Sequence, residues 1–461
     1  MSSVLGFFND FLSQPALLMG LMSFVGLIAL KRPGHKIMSG TLKPILGYLM
    51  LGAGADFITS NLNPLGEMIQ AGFHINGIIP NNEAITSLAQ TILGVETMSI
   101  LIVGLLVNLI VARFTKFKYI FLTGHHSLFM ACLLSAVLQT AGFNGVALIA
   151  VGGIFLGVIS AILPAIGQKY TLKVTDGDDI AMGHFGSLAY YISAWIGSKV
   201  GKPEDSTENI EIPEKWSFLR DTTISTALTM MVFYLIAAIA AGPEFVAELS
   251  DGTNMILFAL MSAMKFAVGV TIVYSGVRMI LGDLLPAFQG IAMKVIPNAI
   301  PAVDCAVFFT YAQTAVVIGF VSSFIGGIIG MLILGAVGGI LIIPGLVPHF
   351  FCGATAGIYG NSTGGKKGAI VGSFINGLLI TFIPALLLPV LGNLGFQNTT
   401  FGDFDFGIVG ILIGKLYEYL GSVGVVGLLV VLVGCVLAPN FIKTKTNVIN
   451  NYYEDEESET I

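Results

Sequence analysis

The feature that most constrains this chain is a succession of apolar runs, each about twenty residues long and almost free of charge. A helix needs about 20 mostly apolar residues to cross ~30 Å of hydrocarbon. Such runs fall at 12–30, 38–58, 94–112, 120–141, 145–166, 222–241, 254–277, 312–336, 338–358, 368–391 and 407–437. They predict an all-α polytopic membrane protein with about eleven transmembrane helices, the last run being tilted, broken or divided. Charge agrees: Asp, Glu, Lys and Arg make up 10% of the 461 residues, against roughly 25% in soluble domains. Continuous apolar runs argue against a transmembrane β-barrel, whose strands alternate apolar and polar residues. A net charge of -6 with no sizeable basic cluster argues against nucleic-acid binding.

The four cysteines, Cys132, Cys305, Cys352 and Cys435, are scattered and form no CxxC pair, so neither a disulfide framework nor a zinc site is expected. No Lys or Arg precedes Lys31; without a basic n-region the first run is expected to be a retained span. Basic connections alternate with bare ones. Lys31, Arg32 and Lys36 follow the first run, Arg113, Lys116 and Lys118 the third, and six Lys or Arg residues lie in 167–220, whereas 61–93 and 243–253 have none. Basic loops stay cytoplasmic, so the N-terminus is expected outside and the tail inside. The expected organisation is one membrane domain over 1–441 and a disordered cytoplasmic tail over 442–461, ending in acids.

Three stretches fit neither span nor loop: 61–93, 175–200 and 279–311 mix polar residues, Gly and Pro with apolar segments. Irregular backbone at membrane depth survives where it is buried in protein or lines a wet cavity. Re-entrant hairpins beside a binding cavity are the expectation, with interfacial amphipathic helices as the alternative. An internal echo points the same way. Ile79-Pro80-x-x-Glu83 resembles Ile300-Pro301-x-x-Asp304, Lys43-x-Ile45-Leu46-Gly47 resembles Arg278-x-Ile280-Leu281-Gly282, and Leu122-x-x-His125 resembles Leu346-x-x-His349. Transporters often consist of two such halves, with substrate bound where equivalent helix breaks meet.

Ionisable residues within membrane segments mark sites by default. His125 and His126 begin a predicted span, and imidazoles that both donate and accept suit a hydroxyl-rich or enediol ligand. His184 stands where a polar loop turns apolar; Glu83 and Asp304 must find donors or become neutral. Asp56, Lys265 and His349 are weaker candidates, with snorkelling, helix pairing or an interfacial position as their alternatives. No Walker loop, HExxH motif or GxSxG elbow occurs, so neither ATP hydrolysis, zinc-protease chemistry nor a serine nucleophile is expected, and no cofactor or metal is assigned.

With these residues in view, the chain resembles the integral membrane subunit, enzyme IIC, of the ascorbate-type phosphoenolpyruvate-dependent phosphotransferase system. The resemblance runs from about residue 12 to 440. It is carried by Leu122-Thr-Gly-His125, Val174-Thr-Asp-Gly177 leading to Gly183-His184, Gly276-Val-Arg-Met279, Ala287-Phe-x-Gly290, Ile296-Pro297, Asp304-Cys305-Ala306 and Ile343-Pro-Gly345 leading to Pro348. It implies an eleven-helix inverted-repeat homodimer in the bacterial plasma membrane, with a core that moves elevator-fashion against a dimerising scaffold. It further implies that L-ascorbate, or a related sugar acid or polyol, is held by residues matching His125, His126, Ser127, Leu128 and Phe129, by His184 and Phe185, by Asp304, and by Asn82 and Glu83. The chain departs from the pattern at Phe185-Gly186-Ser187, where glutamines are expected after the histidine, and at His126-Ser127, which replace larger apolar residues.

The resemblance also implies the partners. A cytoplasmic IIB protein, itself charged by a IIA protein, transfers its phosphoryl group to the incoming substrate, and the charged ester cannot recross the bilayer. Stretches 442–461 and 167–220 are too short to be such domains, so the donor is expected to be a separate protein and this chain a translocation subunit. Two alternatives stay open: an ion-coupled secondary transporter of an organic anion, and a membrane-embedded enzyme acting on lipid.

Overall fold

The structure is a computed structural model that describes residues 14–74, 77–177, 180–210, 221–391 and 400–441. The expected tail 442–461 and the loop portion 211–220 lie outside the described residues. Among the described residues twelve α-helices dominate: α1 (Pro15–Ala29), α2 (Gly34–Phe73), α3 (Asn82–Phe114), α4 (Gly124–Thr140), α5 (Gly145–Thr175), α6 (Ser187–Val200), α7 (Thr222–Ala241), α8 (Pro243–Leu249), α9 (Met255–Lys294), α10 (Gln313–Ala336), α11 (Leu346–Leu387) and α12 (Phe404–Phe441). Most of their non-core surface is apolar, with side chains such as Phe24, Leu106, Val232, Leu332 and Val430 exposed. Leaving so much hydrocarbon uncovered is stable in lipid, not in water. The protein is therefore a multi-pass helical membrane protein.

Among the described residues, six helical stretches are long and apolar enough to cross a membrane, or seven if the bent pair Thr226–Ala241 and Pro243–Leu249 forms one span. That is fewer than the eleven expected from the sequence, for reasons visible in the helices. α4, at 17 residues, is short, and α2 carries Asp56, Asn61, Asn63 and Glu67 along its length. Leu346–Val390 counts as one stretch, but it folds back on itself at Gly365. Ser373 Oγ donates to the Gly353 carbonyl at 3.2 Å, whereas twenty residues of straight helix would separate them by about 30 Å. Gly365 has φ 57° and ψ -148°, a conformation that a residue with a Cβ rarely adopts. α12 breaks similarly at Gly421, φ 64°, and α3 kinks at Leu93.

The stretches read as neither span nor loop resolve into three kinds of structure. Residues 61–73 and 279–294 are the ends of two 40-residue helices, α2 and α9. These pack antiparallel: Lys43 pairs with Asp283, Gly47 lies against Gly276, and Gly54 against Gly269 and Val273. A Cβ at Gly47 would sit 2.8 Å from the Gly276 carbonyl oxygen, so small residues set the close approach, as in other membrane helix pairs. The remaining parts are extended segments and short helices at the centre of the molecule.

There the sequence reading missed an element. Three short buried strands, β1 (Tyr119–Phe121), β2 (Ala181–Met182) and β3 (Ile300–Val303), form a parallel sheet in the order β1-β3-β2. Tyr119 pairs with Ile300, and Met182 with Val303. A separate parallel bridge joins Ile78 to Ile342. Around this centre, α3–α6 and α10–α12 pack among themselves, while α1, α2, α7 and α9 form a second group.

Candidate functional site

A cavity of about 690 Å³ opens between α2 and the strand-centred group. The sheet explains what lines it. Each strand runs toward the cavity and hands the chain to a polar residue there. β1 leads through Leu122, whose amide donates to the Ala302 carbonyl at 2.9 Å, to His125 and His126 at the start of α4. β2 leads through Gly183, whose amide donates to the Val303 carbonyl at 2.7 Å, to His184. β3 ends at Asp304. Parallel strands thus place residues from three distant parts of the sequence at one edge.

Their bonding is specific. Asp304 caps the short 3-10 helix Cys305–Thr310: one carboxylate oxygen accepts from the Ala306 amide at 3.0 Å, and the other lies 3.3 Å from His125 Nε2. The other ring nitrogen of His125 is 2.9 Å from the Tyr48 hydroxyl on α2. His184 Nδ1 accepts from the Gly186 amide at 3.1 Å and lies 2.9 Å from the Tyr190 hydroxyl. An amide can only donate, so a neutral His184 carries its proton on Nε2, and Tyr190 donates to Nδ1. The ring of His126 lies 3.7 Å from that of His184 and stacks on Phe406 at 5.7 Å.

By residue type, His125, His126 and Asp304, or His126, His184 and Asp403, could surround a metal ion. The bonding disfavours it. A metal needs a ring lone pair, and in His184 the Gly186 amide occupies that of Nδ1 while Nε2 bears hydrogen. In the other group both His125 ring nitrogens are engaged, Nδ1 with the Tyr48 hydroxyl at 2.9 Å and Nε2 with Asp304 at 3.3 Å. The arrangement suits a ligand with several hydroxyl or enolic oxygens, to which neutral imidazoles donate and carboxylates accept.

Of the residues anticipated from sequence, His125, His126, Phe129, His184, Asp304 and Asn82 line this cavity. Ser127 is buried with its hydroxyl donating to the Thr123 carbonyl at 3.3 Å, and Leu128 packs into an apolar cluster. Phe185 is fully buried, stacked on Phe121 at 4.9 Å. The side chains of Ser127, Leu128 and Phe185 are therefore not among the lining groups. Glu83 is the second residue of α3, and its side chain lies outside the described residues. Of the weaker candidates, Asp56 borders the cavity from α2, Lys265 is exposed on α9, and His349 is buried elsewhere, 2.9 Å from Ser323 Oγ.

Two aspartates were missed. Asp403 lines the cavity, accepts from Asn82 Nδ2 at 3.1 Å and Cys352 Sγ at 3.2 Å, and lies 3.9 Å from His126 Nδ1. Asp405 accepts from Ser187 Oγ at 2.8 Å and the Leu188 amide at 3.2 Å, closing the first turn of α6 beside His184. Two acids in Gly402-Asp-Phe-Asp-Phe406, directly before an apolar run, were the available signal.

Membrane-crossing helices around a mainly apolar cavity into which a few polar side chains converge fit a permease-type membrane protein. Comparison with known proteins gives the family. Residues 10–405 match the EIIC-GAT family, the PTS system sugar-specific permease component. A curated relative, the ascorbate-specific PTS system EIIC component of Mycoplasma pneumoniae (strain ATCC 29342 / M129 / Subtype 1), is 27% identical over 447 residues, covering 84% of this chain and 67% of the relative. The chain belongs to the family of PTS sugar-specific permease components.

Proposed function

We propose that this chain is the permease subunit of a phosphoenolpyruvate-dependent phosphotransferase system, taking up L-ascorbate or a related sugar acid or polyol. The observation that carries the reading is the convergence of His125, His184 and Asp304 on one cavity in a chain of this family. The relative named for ascorbate supports the choice of substrate. Substrate hydroxyls receive bonds from the imidazoles and donate to Asp304 and Asp403; Asn82 and Phe129 complete the pocket, with Glu83 beside it in sequence. Ser127, Leu128 and Phe185 contribute by positioning the backbone and rings around the histidines. A separate cytoplasmic IIB protein, charged by IIA, then phosphorylates a substrate hydroxyl, and the charged product is trapped inside.

In the same proposal the chain crosses the membrane eleven times with its N-terminus outside and its C-terminus in the cytoplasm, and works as a homodimer. Two halves related by an inverted repeat fit several measurements. A shift of 221 residues carries Gly34–Phe73 onto Met255–Lys294. A shift of 222 carries Ile78 to Ile300 and one of 223 carries Tyr119 to Ile342, so the two parallel bridges exchange. The strand-centred group serves as the core, interleaved along 1–441 with a scaffold of α1, α2, α7 and α9, and elevator-like motion would break the Tyr48–His125 bond between them.

The test is uptake into inside-out and right-side-out vesicles carrying the purified protein. Accumulation of phosphorylated ascorbate that requires phosphoenolpyruvate and the soluble phosphotransferase proteins is expected. Accumulation of unmodified substrate driven by a proton or sodium gradient would overturn the reading in favour of a secondary transporter.

A further inference from the structure

A second cavity, of about 400 Å³, lies away from the substrate pocket, where α1 turns into α2 against α9. Its wall carries Arg32, His35, Lys36, Ser39 and Lys43, with one acid, Asp283. Lys43 Nζ pairs with Asp283 at 3.1 Å; among the described residues neither Arg32 nor Lys36 has a carboxylate partner. The cavity thus keeps two exposed cations beyond its internal pair. At its floor Gly40 lets Leu27 pack close: a Cβ there would stand 2.7 Å from Leu27 Cδ1.

The same helix provides a second kind of surface. Met38, Leu42, Leu46 and Leu49 recur at helical spacing and are all exposed. A basic cavity that continues into an exposed apolar stripe matches an amphiphile with an anionic head and hydrocarbon tails, whereas a soluble anion would have no use for the stripe. Basic pockets between membrane helices commonly take lipid head groups.

We propose that this cavity binds one anionic glycerophospholipid. Its phosphate sits between Arg32 and Lys36, His35 and Ser39 donate to the head-group oxygens, and the acyl chains lie along Met38, Leu42, Leu46 and Leu49. The inference does not rest on the choice of transported substrate. It adds a lipid-dependent anchor to the end of the α2–α9 pair, which the substrate cavity does not contain.

The experiment uses purified full-length protein in detergent, probed with phosphatidylglycerol, phosphatidylcholine and inorganic phosphate, with thermal unfolding midpoint and native mass spectrometry as readouts. Phosphatidylglycerol is expected to raise the midpoint and remain bound, phosphatidylcholine at equal mole fraction to do neither, and inorganic phosphate alone to give no shift. Arg32→Gln combined with Lys36→Gln should weaken phosphatidylglycerol binding roughly 30-fold, at about 1 kcal/mol per cation. Ser39→Trp, which fills the cavity without removing charge, should abolish the selectivity too and serves if the double variant fails to fold. Equal response to both lipids, selectivity retained in both variants, or a shift reproduced by inorganic phosphate would each overturn the proposal. A dimer formed through the stripe and indifferent to lipid would overturn it in favour of a second copy as occupant.

Discussion

The two walls of the substrate cavity are built on different principles. On the strand-centred side, His126, His184, Asp304 and Asp403 are buried, and each is held by named partners. On the α2 side, Asp56, Asn63 and Glu67 face the cavity from exposed positions, and Tyr48 contributes the one polar tie to a histidine that the described residues place there. Behind that wall, α2 rests on α9 through glycine contacts. Buried groups in a low-dielectric setting cost much to leave unmet and are correspondingly directional. Under the proposed function, the fixed wall is the one that recognises substrate, and the α2 wall is the surface past which it is carried.

That contrast can be broken most severely at the fixed wall. Asp304→Asn and His184→Ala should each lower ascorbate affinity by about one to two orders of magnitude, as loss of a charge-assisted or buried hydrogen bond does, with the folded protein retained on size-exclusion chromatography. Wild-type affinity in both would erase the distinction between the walls. Next in size, Gly54→Leu should force α2 from α9 and destabilise the protein by about 1–3 kcal/mol. Thermal unfolding in detergent reads this, and the surviving folded fraction should bind normally; weakened binding per folded molecule would mean that both walls recognise substrate.

Smaller effects sharpen the picture. Asp403→Asn keeps the shape while removing charge beside Asn82 and Cys352, so affinity should fall about fivefold, as measured by calorimetry. Tyr48→Phe should leave equilibrium affinity within about twofold yet change the uptake rate in vesicles, because it removes a tie between the two helix groups whose relative motion is proposed. An unchanged rate with lost affinity would reverse the roles given to the two walls. Lys265→Met, on an exposed face away from the cavity, should alter neither.

Much of this was legible in the sequence. The helices at 94–112, 222–241 and 312–336 were found nearly to their ends, because unbroken apolar runs bounded by polar residues leave little freedom. His125, His184 and Asp304 stood out because charge-bearing groups in apolar segments demand partners. The sheet did not. Its strands have two to four residues, and Pro301 inside β3 speaks against a central strand; only the tertiary structure shows Ile120 opposite it. The resemblance groups Ser127 and Leu128 with His125, but on a helix neighbouring residues point to different sides, and in α4 their side chains lie outside the cavity lining. Asp403 and Asp405 escaped attention because they precede the last apolar run instead of lying inside it.

The departure at Phe185-Gly186 also acquires a cause. Phe185 belongs to the aromatic packing around Phe121 and Phe406, and the Tyr190 hydroxyl occupies the space a side chain at Gly186 would need. His184 is oriented by the Tyr190 hydroxyl and the Gly186 amide.

The central claim is that imidazole and carboxylate groups at the ends of the three strands bind the transported molecule together. Titration of purified wild-type protein and of His184→Ala with ascorbate, followed by isothermal calorimetry, addresses it most directly. Saturable one-site binding by the wild type that is lost or weakened by about one to two orders of magnitude in the folded variant is the predicted result. Equal binding by both proteins would contradict the account.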